Sequence, residues 1–254
     1  MNLGAAAGWG LVVAASLLAG GLAAALLRLP ERVAATATAF GGGILFAAVA
    51  LELVPEADSG AGPVLTAAGL LAGTLIYVGA DALLSRDPST HEMRRMSHAA
   101  AAGQPMGAAP ERSQAARGES IAAGIFVDGV PESIALGLTI AEGDIGVALL
   151  AGILLGNVVE AYGAAQPILA GGRSKRFALG LLGAIGLALA ASTVLGGTLL
   201  ADASEELIGT TQAVAAGAVL AVITIAIVPH AFKQVSRLVA TATVAGFITG
   251  YLLS

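Results

Sequence analysis

The sequence contains no cysteine, and it is poor in charged and aromatic side chains. Only 11% of its 254 residues are charged and only 4% are aromatic. Without cysteine the chain has neither a disulfide framework nor a thiolate metal site. The formal net charge of −5 gives nucleic-acid binding no basis. What remains is apolar, because 57% of the residues are hydrophobic and the mean hydropathy is +0.87. This balance excludes a soluble globular domain and predicts a polytopic membrane protein.

Eight apolar runs follow one another along the chain, each near the length that a membrane-spanning helix needs. They cover residues 8–27, 33–54, 64–84, 120–140, 145–170, 177–200, 208–229 and 238–253. We therefore predict an all-α fold with eight transmembrane helices in one domain, residues 1–254. No Lys or Arg precedes the first run, so we expect a retained helix rather than a cleaved signal peptide.

The connection at residues 85–119 is rich in Ala, Gly, Ser, Pro and Arg and has no apolar period. It is predicted to be a flexible loop between helices three and four. It contains His91 and His98, which either capture a metal ion transiently or are simply solvated histidines. Near the outer end of helix two, Glu52 is expected to be solvated at the membrane interface; the alternative is an outer acidic mouth formed with Glu56.

The basic residues predict the orientation of the chain. All 12 Lys and Arg residues lie in the odd-numbered connections, whereas the connections on the other side carry only acids. Under the positive-inside rule the loop 85–119 is then cytoplasmic and both termini are extracytoplasmic. We expect a multi-pass protein of the plasma membrane, the inner membrane of the cell.

Two segments of the sequence resemble each other. In residues 43–57 and 217–231, Gly, Val-Pro and the following Ala fall at the same offsets. These segments belong to predicted helices two and seven, which run in opposite directions. The similarity predicts an inverted repeat of helices 1–3 and 6–8 around central helices 4 and 5. The alternative is a chance similarity between short apolar segments that end in proline.

Predicted helix four carries two acids at membrane depth. Asp128 and Glu132 are four residues apart, which places both on one helical face. Pro131 lies between them and has no N–H, so the carbonyl of Val127 loses its helical partner. One patch of the helix therefore presents two carboxylates and a free carbonyl, all of them oxygen ligands.

Predicted helix five supplies a second polar patch at the same depth. Asn157 and Glu160 are three residues apart and share a face. A charge at the bilayer centre costs about 2.5–3.5 kcal/mol, and no Lys or Arg lies at this level of the sequence. Protons or a bound cation must therefore compensate the three acids. The residues predict a cation site, and the alternative is protonated acids that hydrogen-bond between helices.

These motifs resemble those of the Zrt/Irt-like (ZIP) metal transporters over nearly the whole chain. The helix-four motif of that family is His-Asn-x-Pro-Glu-Gly, and this chain has Asp128-Gly-Val-Pro-Glu132-Ser. The family has an acidic or amide pair in helix five followed three residues on by Glu, and here Gly156-Asn157 precede Glu160. Val-Pro-Glu-Ala at 54–57 is similar to the end of the family's helix two. Eight helices, extracytoplasmic termini and a long loop after helix three are also features of the family.

The resemblance implies a carrier for divalent metal ions and one metal site. Its ligands would be the carboxylates of Asp128, Glu132 and Glu160 and the amide of Asn157. Asp128 replaces the family's first metal-binding His, and Gly129 removes a neighbouring ligand. The family favours zinc, while an all-oxygen site suits manganese, and iron remains open.

No prosthetic group and no enzymatic activity are expected, and the partners are the metal cation and the lipid bilayer, with a homodimer left open. The alternatives are a non-transporting scaffold or metal sensor with the same fold, or a membrane-embedded hydrolase. The hydrolase is disfavoured because the sequence has neither a His-Glu-x-x-His motif nor a nucleophile elbow.

Overall fold

The computed structural model describes residues 3–27, 29–84, 111–143, 146–199, 203–228 and 235–254, and all regular secondary structure in these ranges is helical. The elements in chain order are α1 (Leu3–Leu26), α2 (Glu31–Ala48), a π-helical segment (Val49–Leu53), α3 (Val54–Leu84), α4 (Glu111–Glu142), α5 (Val147–Ala170), α6 (Lys175–Leu199), α7 (Glu205–Val222), a second π-helical segment (Ile223–Ile227) and α8 (Leu238–Leu253). The prediction of an all-α fold is confirmed.

Six helical stretches in these ranges are long and apolar enough to cross a membrane. They are Leu3–Leu26, Arg32–Ala80, Ala122–Ala141, Val147–Ala170, Lys175–Thr198 and Glu205–Ile225. A shorter apolar helix covers Leu238–Leu253. These helices have the character of a multi-pass membrane protein. The number of eight spans stays a prediction, because the 49-residue stretch Arg32–Ala80 contains two of the predicted runs and counts here as one.

That long stretch is broken at Gly62. Gly62 has φ 77° and ψ 165°, outside the helical region, and Pro63 follows it. Glycine adopts a positive φ without steric cost, and proline cannot donate the hydrogen bond that would continue the helix across the break. Element α3 is therefore two helical arms, and the first arm continues α2 through the π-helical segment.

Contacts with α7 show that the chain reverses direction at this break. Partners on α7 fall in residue number before the break and rise after it. The pairs are Glu56 with Gln212 and Gly60 with Glu205 before the break, and Gly69 with Ala213 and Thr74 with Gly217 after it. The first arm of α3 is thus antiparallel to α7, and the second arm is parallel to it.

The helices pack in two groups. Helices α1, α4, α5 and α6 pack on one another, while α2 packs on α8 and α3 packs on α7. Contacts of α2 with α5 and of α4 with α7 join the two groups. Fully buried leucines from five helices form the shared core; they include Leu17, Leu45, Leu136, Leu149 and Leu182.

Backbone irregularities recur at the separation of the two similar sequence segments. The π-helical segments begin at Val49 and Ile223, and positive φ angles occur at Gly62 and Ser236. Both pairs are 174 positions apart (223 − 49 and 236 − 62), as are the glycines that begin the two segments (217 − 43).

Those two glycines also lie at equivalent helix crossings. A Cβ at Gly43 of α2 would overlap the carbonyl oxygen of Thr243 in α8. A Cβ at Gly217 of α7 would overlap the carbonyl oxygen of Leu70 in α3. Small residues let helices in membranes approach this closely. Each glycine therefore permits one of the two tight helix pairs, α2 with α8 and α7 with α3.

Helix α4 begins earlier than its apolar run indicates. It starts at Glu111, so residues 111–119 of the predicted loop are helical. The rest of that loop, residues 85–110 with His91 and His98, lies outside the described residues.

Candidate metal site

Helix α4 carries the first two candidate ligands into the interior. Asp128 is 3% exposed and Glu132 is 6% exposed, and they stand one turn apart. Pro131 lies inside this 32-residue helix. Because proline removes one hydrogen bond of the ladder, the carbonyl of Val127 is left for another partner.

Helix α5 carries the other two candidates and packs directly against α4. Asn157 is 3% exposed, whereas Glu160 is partly exposed. The structure brings all three acids close enough to interact electrostatically, Glu132 with Asp128 and Glu160 with both of them. Neighbouring like charges repel strongly at low dielectric, so this cluster favours a proton or a bound cation between the groups.

The Asn157 amide is buried without a complete set of partners. Its Nδ2 has no hydrogen-bond partner among the described residues. A buried polar atom left unsatisfied costs about 1–3 kcal/mol. An amide rotated by half a turn presents its oxygen in place of its nitrogen. The four side chains can therefore offer a hard divalent cation only oxygen ligands, three carboxylates and one amide oxygen.

The cluster is not a closed coordination shell in this structure. Within the ranges that the structure describes, no group of three His, Asp or Glu side chains has an arrangement that could hold a metal ion. The carboxylates are electrostatic neighbours rather than ligands that already converge on one point.

Open space borders the cluster on the α5 side. A Cβ at Gly156 would meet no atom within 4 Å, although Gly156 lies in the middle of the helix. Glu160 is one turn further on the same face and is partly exposed. Gly41 of α2 lies beside this gap, since its own Cβ would be 3.7 Å from the backbone nitrogen of Gly156. Among the described residues, no side chain of a neighbouring helix therefore covers α5 at Gly156.

The position next to Asp128 is closed by packing. A Cβ at Gly129 would lie 2.6 Å from Cδ1 of Leu189, a fully buried side chain of α6. Any larger residue at 129 would displace Leu189. The structure thus gives a physical reason why this position contributes no ligand.

A further polar residue belongs to the cluster. Tyr77 of α3 is 3% exposed, and its hydroxyl donates a hydrogen bond of 2.5 Å to Oδ1 of Asp128. Sequence reasoning missed this residue. The available signal was weak: a tyrosine is rare in this chain, and a buried tyrosine hydroxyl usually finds a partner.

The expectation for Glu52 is met only in part, because the residue is partly exposed while one of its carboxylate oxygens is buried. Glu52 lies in the first π-helical segment, and its Oε2 is buried. It lies beside the turn before α5, since a Cβ at Gly146 would be 3.4 Å from Glu52 Oε2. A carboxylate at a helix N-terminus interacts favourably with the helix dipole. Glu56 accepts a hydrogen bond of 2.9 Å from Gln212, which joins the first arm of α3 to α7.

Comparison of the chain with protein-family models finds no match, and comparison with curated proteins finds none either. The resemblance to the ZIP transporters therefore stays an expectation from the motifs.

Proposed function

We propose that this chain is a membrane carrier for divalent metal ions, which binds the transported ion with Asp128, Glu132, Asn157 and Glu160. The observation that carries the proposal is the group of three acids gathered between α4 and α5, two of them buried, in a helical, apolar chain. The protein has no enzymatic activity in this proposal.

The energetic argument starts from the missing positive charge. Three uncompensated charges at the bilayer centre would cost roughly 8–10 kcal/mol. No Lys or Arg occurs between residues 118 and 172, so α4 and α5 offer no basic partner at this level. A divalent cation supplies two positive charges where the acids meet. The alternative is that the acids are protonated and only hydrogen-bond between helices. That role requires neither three neighbouring acids nor the uncovered helix surface at Gly156.

The proposed architecture has eight membrane spans and an inverted repeat of helices 1–3 and 6–8 around helices 4 and 5. Three observations support it. The chain reverses at Gly62, which divides the stretch from Arg32 to Ala80 into two antiparallel helical arms. The π-helical segments and the positive φ angles recur 174 residues apart. The repeat would relate α2 to α7 and α3 to α8. It would therefore relate the packed pair α2–α8 to the packed pair α7–α3.

The proposed location is the plasma membrane, with both termini extracytoplasmic. Arg173, Lys175 and Arg176 lie at the α5–α6 turn, and Glu205 and Glu206 lie at the opposite end of α6, at the start of α7. The positive-inside rule places the first group in the cytoplasm. The metal in this proposal is zinc, manganese or iron; oxygen ligands alone favour manganese, whereas the motif resemblance favours zinc.

Metal uptake into liposomes that contain the purified chain tests the function. The parent should accumulate zinc or manganese, and Glu132→Gln should abolish uptake because it removes one carboxylate without changing the side-chain volume. Glu119→Gln is the matched control: it lies on the same helix but pairs at the surface with Arg173 at 2.9 Å. We expect this control to transport at the parent rate.

Other results would favour the alternatives. If the parent binds metal but moves none, the chain is a sensor or scaffold rather than a carrier. If Glu132→Gln transports at the parent rate, the α4–α5 cluster is not the transport site.

A further inference from the structure

Tyr77 connects the acid cluster to the second group of helices. It lies on α3, which packs on α7, while Asp128 lies on α4, which packs on α5 and α6. The 2.5 Å bond from its hydroxyl to Asp128 Oδ1 has the length of a charge-assisted hydrogen bond, which is about twice as strong as a neutral one. We propose that Tyr77 is a positioning residue of the cation site, which holds the Asp128 carboxylate in the orientation that binds the ion. This inference rests on the proposed function.

A hydrogen bond that orients Asp128 matters because the hydrogen-bond ladder of its own helix is interrupted nearby. Pro131 removes the hydrogen bond to the Val127 carbonyl, in the turn that carries Asp128. A carboxylate ligand is effective only when its orientation is fixed, and hydrogen bonds from outside the ligand shell usually fix it. Tyr77 supplies this bond from a different helix, so its position does not depend on the interrupted turn of α4.

The segment around Tyr77 is itself held firmly. Thr74, about one turn earlier, donates a hydrogen bond of 3.1 Å to the carbonyl of Gly217. Gly73 permits backbone contact, because a Cβ there would overlap the carbonyl oxygen of Val214. The ring of Tyr77 belongs to the buried core. Binding groups are positioned most accurately by residues that packing and hydrogen bonds immobilise.

A second tyrosine provides a matched control. Tyr162 of α5 is 6% exposed, and its hydroxyl accepts hydrogen bonds from the Leu29 backbone at 2.7 Å and from Gln166 at 3.1 Å. The bond from Leu29 joins α5 to the residues after α1, the bond from Gln166 lies within α5, and neither involves an acid. Tyr162 therefore shows what a buried tyrosine with a purely structural role looks like in this chain.

The experiment compares Tyr77→Phe and Tyr162→Phe in the full chain, reconstituted in liposomes, with manganese and zinc as probes. Both changes remove one hydroxyl and keep the ring. We expect Tyr77→Phe to raise KM for uptake about 10–100-fold, the usual effect of losing a group that orients a metal ligand, with Vmax near the parent value. Tyr162→Phe should lower the thermal unfolding temperature and leave KM unchanged. Equal KM values for the two variants would overturn the proposal.

A double-mutant cycle for metal binding tests whether Tyr77 acts through Asp128. If it does, Tyr77→Phe should have no further effect on Kd in an Asp128→Ala background, where the acceptor of its hydrogen bond is gone. An equal effect in both backgrounds would assign Tyr77 a role that does not involve this carboxylate and would overturn the proposal.

The parent and Glu132→Gln separate this inference from the proposed function. If the parent neither binds nor transports the probes, the proposed function fails. If Glu132→Gln abolishes uptake while Tyr77→Phe keeps the parent KM, only the inference about Tyr77 fails.

Discussion

Replacement of Glu132 by Gln should stabilise the metal-free chain and should remove most of the stability that the chain gains from metal. Glu132 is 6% exposed and lies beside Asp128 and Glu160. Its charge at the bilayer centre costs up to about 3 kcal/mol, and Gln keeps the shape while removing that cost. In a chain of this size 1 kcal/mol corresponds to about 2–4 °C. The metal-free variant should therefore unfold up to roughly 6–12 °C above the metal-free parent.

Metal should narrow or close this gap. A ligand at 100 times its Kd stabilises the folded state by about 2.7 kcal/mol, so the parent should gain several degrees in the presence of zinc or manganese. Glu132→Gln has lost a ligand and should gain little. The assay is thermal unfolding of the purified chain in detergent, with and without metal. Glu119→Gln serves as the control, because an exposed ion pair contributes about 0–1 kcal/mol and should leave both curves unchanged.

Two results would refute this reasoning. If the metal-free Glu132→Gln variant has a lower unfolding temperature than the metal-free parent, the charge of Glu132 does not destabilise the metal-free chain. If metal raises the unfolding temperature of the variant as much as that of the parent, Glu132 is not a ligand.

Two more predictions follow from the topology and from the donor set. The chain has no cysteine, so single cysteines can be labelled without background. Ser204→Cys should react with an impermeant thiol reagent from outside intact cells, and Ser174→Cys should not. Both serines cap a helix by accepting a backbone N–H. The opposite labelling pattern would mean that the chain has the opposite orientation. Asp128→His should raise the zinc-to-manganese uptake ratio in liposomes, because an imidazole nitrogen suits zinc better than a carboxylate does. An unchanged ratio would mean that Asp128 does not contact the ion.

The positions of the helices followed closely from the apolar runs. The last helix covers residues 238–253, as predicted. Helix α4 starts at Glu111 rather than near residue 120, because its first two turns are polar and carry no hydropathy signal. The break that separates the second and third runs lies at Gly62, and the helix before it continues through the π-helical segment past residue 54. Hydropathy located the membrane-length segments but not the irregular backbone that joins them.

The inverted repeat that the similar segments at 43–57 and 217–231 indicate stays a prediction. Their match is short, and a chance similarity is the alternative. The π-helical segments and the turn conformations at Gly62 and Ser236 recur at the same separation. These are properties of the folded backbone, and the sequence contains no clear signal that predicts a π-helical turn.

The sequence by itself determined the apolar helices, the lack of basic residues near the acids, and the pairing of Asp128 with Glu132 on one face. These features depend on residues that are close together in the chain, where helical periodicity alone decides which side chains share a face. Only the tertiary structure decided that Tyr77 bonds to Asp128 across 51 residues, that Leu189 closes the space beside Gly129, and that Oε2 of Glu52 is buried near Gly146. Such contacts depend on which helices pack together and on where small residues let them approach, and a single sequence does not specify these choices locally.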